Sequence, residues 1–307
     1  MRNLLLVLAF VTLAAAKPPP LPPSWAPVQK LLDEQKFEAA SKEVQKRLEE
    51  AIARRDDAEW ARALVKLTQA RISLHGYETA VRMLMEQPWP ESPIPRTTVE
   101  LYYAYALLFY SQQYGWEIRQ RERVESRARV DLKAWTLDQL REEIHRTFER
   151  AWARRDGLGR HRVDELSEYL ERNNYPPGIR DTLRDALTYL WVDMLDDSSA
   201  WRPEQANEVY RLDLPALLKG GPAPSSIKLA DPSVHPILRA AAVLDDLESW
   251  HRAAGAREAA LEARLRRFSL LEQHFTERPD RARIRRALEE LIPSVRALPW
   301  STMGARG

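Results

Sequence analysis

The chain has 307 residues, a formal net charge of +2 and no cysteine. Hydrophobic residues make up 44% and charged residues 30%, a balance typical of a folded globular protein rather than a disordered one. The lack of cysteine excludes disulfides, thiolate metal sites and cysteine catalysis. The near-neutral charge argues against nucleic acid as the main partner.

Residues 1–16 have the pattern of a signal peptide. Arg2 precedes an apolar run from Leu4 to Leu13, and three alanines ending at Ala16 provide a small-residue cleavage site. The apolar run is shorter than the roughly 20 residues that span a bilayer. We therefore expect cleavage after Ala16, no stable membrane insertion afterwards, and an exported protein in the periplasm or the extracellular space.

A proline-rich segment follows the predicted cleavage site. Residues 17–27 contain six prolines, which lack the backbone N–H and favour extended polyproline II. We interpret the segment as a semi-rigid spacer, with a proline-motif ligand as the alternative.

Residues 28–200 are predicted to form one helical domain. Apolar residues recur at steps of three and four from Phe37 to Ile52 and again from Trp60 to Leu74, as in amphipathic helices. The phrases that begin at Lys36 and Gly76 resemble the start of the second helix of a tetratricopeptide repeat. They lie about 40 residues apart, where that repeat takes about 34, so the pattern predicts an irregular array of helical hairpins.

The segment from Val99 to Trp116 is apolar and aromatic on every side, which is typical of a helix in the middle of a bundle. Its aromatic residues are interpreted as core. The alternative is a platform for carbohydrate or peptide across residues 99–116.

The C-terminal part of the chain is also predicted to be helical. Residues 201–236 carry few helix signals and several glycines and prolines, so they are predicted to be a connecting loop and the main internal boundary. A helical hairpin and a last helix are predicted for residues 237–307. No segment alternates as strands do, so the predicted fold class is all-α.

The common catalytic motifs are absent from the sequence. No phosphate loop, nucleophile elbow or zinc-protease motif occurs, and we predict no enzymatic activity and no cofactor. The rival hypothesis is a metal-dependent enzyme, because Glu142/His145 and Glu248/His251 have the spacing of di-iron ligands. Helix geometry places Glu142 on the solvent side and His145 at the margin of the apolar stripe.

Arginines concentrate in residues 119–129 and 281–286. The first group is interleaved with glutamates, and we interpret both groups as solvated helix faces, with an anionic partner as the alternative.

Several phrases resemble the N-terminal helical region of bacterial alpha-2-macroglobulin-like proteins, which carry MG2-type domains. The matching stretches are Leu101–Tyr105, Tyr114–Arg121, Asp131–Asp138, Asn174–Ala186, His235–Leu238, Leu247–His251 and Pro299–Gly304. Members of that family are large envelope proteins, some with a thioester that traps attacking proteases. This chain has no cysteine for a thioester and no β-sandwich segment, so only the helical lead-in is matched.

The resemblance implies a non-catalytic, exported scaffold for protein contacts in the cell envelope, with macroglobulin-type domains as candidate partners. The chain is then either a natural short protein or the truncated head of a longer one. Since Tyr, Trp and Arg dominate interface energetics, the candidate partner-binding residues are Tyr110, Tyr114, Trp116, Arg119 and Arg121. The alternative is that these residues only pack helix against helix.

Overall fold

The computed structural model describes residues 21–121, 131–170, 173–221 and 227–295. Within these ranges the chain forms α-helices and short 3-10 segments and no β-strand, apart from one isolated antiparallel bridge between Arg162 and Thr182. The all-α prediction is therefore confirmed for the described part of the chain. The predicted signal peptide lies outside it. No helix in the described ranges combines the length and the apolar character needed to cross a membrane.

The described residues divide into two units. An N-terminal unit contains residues 21–158 and 164–170, and a C-terminal unit contains residues 159–163 and 173–295. The structure thus places the division near residues 158–173 and not at the predicted connection 201–236.

Helices of the N-terminal unit follow one another with short turns. They are α1 (Ala26–Asp33), α2 (Phe37–Arg54), α3 (Asp57–Ser73), α4 (Tyr77–Glu86), α5 (Pro93–Gln113), α6 (Gly115–Arg119), α7 (Leu137–Trp152) and α8 (Arg155–Leu158). Neighbours in sequence pack together from α1 to α5, and α5 also contacts α3 and α7. Because α5 is surrounded in this way, Tyr102, Tyr103 and Leu107 are buried. This confirms that the aromatic segment is largely core.

One turn geometry ends each of the first three helices. Gln35, Arg55 and His75 have positive φ angles of 56°, 54° and 59° and are evenly spaced along the chain. At each turn two backbone N–H groups donate to carbonyls of the preceding helix, as in the Schellman motif. Helices α1 to α4 are therefore joined by repeated, equivalent turns.

The predicted spacer is partly helical. Pro23–Trp25 form a 3-10 turn and α1 starts at Ala26. The indole of Trp25 is fully buried and donates a hydrogen bond of 2.7 Å to Glu59 on α3. The 3-10 turn was not predicted from the proline signal, and a long-range contact with α3 holds this part of the segment in place.

Helices of the C-terminal unit are built around α12. They are α9 (Leu183–Asp196), α10 (Pro203–Glu208), α11 (Leu214–Lys219), α12 (Pro236–Ala253), α13 (Arg257–His274) and α14 (Arg278–Val295). Helix α12 packs against α9 and α13, and α14 packs against α11 and α13. The predicted loop 201–236 therefore contains two short helices, α10 and α11. The sequence pattern did not reveal them because both helices are short and have a proline in their first turn.

Candidate functional site

The candidate partner-binding residues lie where α5 ends and α6 begins. The structure breaks the helix predicted up to Trp116 at Tyr114, and α6 starts at Gly115 as a separate short helix. The indole of Trp116 consequently faces solvent and is 69% exposed. An exposed side chain of this size is unusual, because Trp is highly buried on average.

Tyr110 and Arg121 have structural roles. Tyr110 is 1% exposed, and both terminal nitrogens of Arg121 donate to its hydroxyl over 3.3 Å. Arg121 also donates to the carbonyls of Leu132 and Trp135, each over 3.2 Å. Burial raises the pKa of Tyr110, and Arg121 opposes that shift. The pair ties the end of α6 to the segment before α7, so the packing alternative applies to these two residues.

Tyr114 packs beside the buried Tyr110, and Arg119 lies at the surface. The rings of Tyr114 and Tyr110 have centroids 5.1 Å apart, and Tyr114 is half-buried. Arg119 is exposed, and its Nη1 lies so close to Gly115 that a Cβ there would be 3.3 Å away. Within the described residues Arg119 has no ion-pair partner. Trp116 and Arg119 are thus the two predicted residues that a partner can reach.

Three tyrosine rings of α5 are too buried to serve in the alternative role of a platform for carbohydrate. Tyr102, Tyr103 and Tyr110 are all less than 4% exposed. Gln69 donates to the Tyr102 hydroxyl over 3.3 Å, and Trp89 packs edge-on against Tyr103. These rings form the interior of the N-terminal unit, and a flat sugar-stacking face is not available on them.

The Glu248/His251 pair does not converge on a common point. Nε2 of His251 lies 2.6 Å from Oδ1 of Asp185, on α9. Glu248 instead forms ion pairs with arginines, Arg264 and Arg267 among them. In the described ranges no group of three or more His, Asp or Glu side chains is arranged to hold a metal ion.

The Glu142/His145 pair also diverges. Glu142 forms a surface ion pair with Arg146 and its side chain is 44% exposed, which confirms its predicted solvent position. His145 is buried at 9% exposure. The two side chains of α7 therefore point to different environments.

Buried ion pairs of the C-terminal unit escaped the sequence analysis. Nη2 of Arg180 lies 2.7 Å from Glu262, and the guanidinium stacks on Tyr189 at 3.7 Å. Arg267 is 1% exposed between Asp245 and Glu248, and burial lowers its pKa to about 10. Helical spacing marks such residues as facing a core, but only the fold shows which charges meet.

A cleft of about 440 Å³ opens among α11, α13 and α14. Its lining residues are Pro215, Leu218, Lys219, Arg264, Phe268, Ala287, Glu290 and Leu291. Its charged lining residues are Lys219, Arg264 and Glu290. The sequence analysis did not find this cleft because α11 lies inside the predicted loop.

Comparisons with protein-family models, with curated proteins and with solved structures each find no match to this chain.

Proposed function

We propose that this chain is a non-catalytic, exported helical scaffold that mediates protein–protein contacts in the cell envelope. The observation that carries the proposal is the exposed indole of Trp116 beside the exposed guanidinium of Arg119. Trp and Arg are the residue types most enriched among energetically dominant interface residues.

The support beneath Trp116 favours binding over simple surface exposure. Tyr110 is buried, and Arg121 connects its hydroxyl to the backbone at Leu132 and Trp135. This network holds both ends of α6, so Trp116 is presented on an ordered base. A partner then loses little affinity to ordering of the site on binding.

The helical array of the N-terminal unit is consistent with a scaffold role. Its equivalent turns at Gln35, Arg55 and His75 join α1 to α4, of which α2 and α3 have 18 and 17 residues. Arrays of stacked helix pairs offer extended surfaces for peptides and partner domains.

We further propose that the array is related to the N-terminal helical region of alpha-2-macroglobulin-like proteins. The support is the set of sequence phrases given above, several of which fall on α5, α6, α9 and α12. A macroglobulin-type domain is the partner that this relationship favours.

The proposal is tested by site-specific photo-crosslinking from position 116 in living cells, with the crosslinked protein identified by mass spectrometry. The matched control is position 210, because Tyr210 is also 69% exposed and lies beside an arginine, Arg211. We expect one dominant protein partner from position 116 and none from position 210.

A second measurement asks whether the contact provides binding energy. The double variant Trp116→Ala with Arg119→Ala should weaken binding of the crosslinked partner by at least about tenfold, while Tyr210→Ala with Arg211→Ala leaves it unchanged. Far-UV circular dichroism should show equal helicity for both. Equal crosslinking from both positions, or unchanged affinity of the first variant, would refute the assignment.

A further inference from the structure

One histidine ring links two helices of the C-terminal unit. His235 is the N-cap of α12, and its Nδ1 accepts a hydrogen bond of 3.2 Å from the backbone N–H of Ile237. Its Nε2 lies 2.8 Å from the backbone carbonyl oxygen of Gln205 on α10. A backbone N–H can only donate and a carbonyl can only accept, so this geometry requires the neutral ring with its hydrogen on Nε2. The ring is 6% exposed, so both bonds are shielded from water.

Hydrogen bonds, rather than apolar packing, hold α10 in place. Among the residues of α10, all of which the structure describes, Gln205 alone is buried. Its side-chain amide donates to the carbonyl of Pro232 over 2.9 Å, and its backbone carbonyl accepts the bond from His235. A segment whose one buried side chain is polar opens at a low cost in free energy compared with a core helix. The position of α10 therefore depends on the His235 ring.

Residues 202–213 lie between two packed ends, and we call them the α10 strap. The strap contains α10 and the 3-10 turn Val209–Arg211. On one side, the indole of Trp201 is 6% exposed and donates to the carbonyl of Leu195 on α9 over 2.8 Å. On the other side, Leu214 is 2% exposed at the start of α11. The two ends can therefore stay packed while the strap between them opens.

A protonated His235 ring cannot remain at the N-cap. Protonation places a hydrogen on Nδ1, which then faces the N–H of Ile237 as a second donor. It also places a positive charge at the N-terminus of α12, where the helix dipole disfavours cations. The bond to Gln205 by itself would tolerate the charge, but Nε2 belongs to the same ring. When the ring leaves the cap, the bond to α10 is lost as well.

Charged groups from four helices surround this ring. Burial is the main cause that lowers the pKa of His235, while the hydrogen bond to α10 and the charge of Glu208 raise it. His274 of α13 and Arg239 of α12 lower the pKa further. His274 is itself paired with Asp196 of α9, whose Oδ1 lies 2.6 Å from Nε2 of His274. The neutral ring is therefore favoured in the folded protein, and the unfolded chain takes up the proton more readily.

We propose that His235 is an acid-sensitive switch: protonation of its ring releases the α10 strap, while α9, α12 and α13 remain packed. The strap is closed above about pH 6.5, the value at which the free side chain titrates, and opens as the pH falls below it. Opening uncovers the backbone around Pro232, which the side chain of Gln205 binds in the closed state. The surface beneath the strap is then accessible in acid only.

The switch is independent of the surface around Trp116. It lies in the other structural unit and uses different residues. The experiments on Trp116 and on the α10 strap can therefore fail separately.

The test is hydrogen exchange of the full-length mature chain, followed by mass spectrometry, at about pH 7 and about pH 5.5. Each exchange rate is divided by the intrinsic chemical rate at the same pH. Peptides from residues 202–213 should lose protection by at least about fivefold in acid. Peptides from α13 should stay protected throughout the labelling period at both pH values, because the packed helices do not open.

Matched variants assign the effect to one ring. His235→Asn keeps a capping side chain but is too short to bind Gln205, so the strap should be open at both pH values. His75→Asn removes an exposed histidine from the N-terminal unit and should leave the wild-type response of the strap unchanged. His274→Gln removes the other imidazole that packs against Trp201 and should still show release of the strap in acid.

Several results would overturn the proposal. Strap peptides that are equally protected at both pH values would show that no release takes place. Loss of protection in α13 to the level of the strap would indicate unfolding of the whole unit instead of a local switch. A wild-type response in His235→Asn, or loss of the response in His274→Gln, would assign the proton to another group.

Discussion

His251 and Asp185 form a buried pair in which Nε2 of the imidazole lies 2.6 Å from the carboxylate Oδ1. Both side chains are at most 4% exposed. The pair joins α12 to the first turn of α9, where Asp185 also accepts hydrogen bonds from the backbone N–H and hydroxyl of Thr182. It therefore holds a helix start against the central helix of the unit.

Replacing His251 by leucine should destabilise the C-terminal unit by about 3 kcal/mol. The reason is that removal of one partner leaves the Asp185 carboxylate buried with too few donors. The measurement is the free energy of unfolding from urea titration. The double variant with Asp185→Asn should recover part of the loss because it removes the buried charge. A double variant as unstable as the single one would contradict this explanation.

The stability of the C-terminal unit should fall as the pH drops below about 6.5. His235 caps α12 as a neutral ring: Nδ1 accepts from the backbone N–H of Ile237 and Nε2 donates to the carbonyl of Gln205. Burial lowers the pKa of His235 below the 6.5 of the free side chain, although the hydrogen bond to Gln205 and the charge of Glu208 oppose the shift. The charges of His274 and Arg239 lower this pKa further.

The sign follows from this lowered pKa. The unfolded chain binds the proton more readily, so the contribution of His235 is complete above about pH 6.5 and is lost as the pH falls. One such proton contributes at most about 1.4 kcal/mol per pH unit. The variant His235→Asn keeps a capping side chain that does not titrate. Its free energy of unfolding should therefore depend less on pH than that of the wild type over the roughly two pH units below neutrality. Identical profiles would refute the assignment.

Trp25 should be a core residue of the N-terminal unit. Its indole is fully buried, donates to Glu59 and lies 5.1 Å from the guanidinium of Arg47. Trp25→Ala should lower the free energy of unfolding by about 3–5 kcal/mol because a large cavity remains. The control Trp116→Ala removes an exposed indole and should change it by less than about 0.5 kcal/mol. If the two variants lost equal amounts of unfolding free energy, the 3-10 turn before α1 would not be packed against α3.

The left-handed turn at Arg55 offers a stabilising change. Its φ angle of 54° strains a side chain but not glycine, and the left-handed conformation costs roughly 1–2 kcal/mol for residues with a Cβ. Replacing Arg55 by glycine removes this cost, but part of the gain in stability is offset by the greater freedom of glycine in the unfolded chain. Arg55→Gly should raise the melting temperature, whereas Lys46→Gly, on the exposed side of α2, should lower it. A loss of stability in the first variant would contradict the turn geometry.

Export predicts a mature protein that begins at Lys17. N-terminal sequencing of protein from the periplasmic or extracellular fraction should find this residue first. Leu6→Arg places a charge in the apolar run and should leave the full-length chain in the cytoplasm, whereas Leu6→Val should be processed normally. Accumulation of the wild-type chain in the cytoplasm with Met1 intact would refute the prediction.

Much of the local structure could be predicted from the sequence because helices depend on near neighbours. Thr136, directly before the periodic run of α7, is of a residue type that favours the N-cap, and it forms a reciprocal pair of bonds with Gln139. Gly255, with a φ angle of 75°, lies in the turn that separates α12 from α13. Periodicity at steps of three and four was sufficient for these helices.

The candidate sites were less predictable, because their residues are far apart in the chain. The sequence placed Tyr110, Trp116 and Arg121 together, but it could not show that Arg121 is tied to Tyr110 while Trp116 stays exposed. The cleft was missed because its walls come together only through the packing of α11, α13 and α14.

The sequence by itself determined the all-α class, the periodic pattern of the long helices and the lack of common catalytic motifs, since these depend on composition and on contacts within a few residues. Tertiary structure alone decided that Trp25 is buried, that His251 pairs with Asp185 rather than Glu248, and where the chain divides into units. The physical reason is that each of these outcomes is set by packing between helices distant in sequence, and helical periodicity identifies the face that is buried but not the face that it meets.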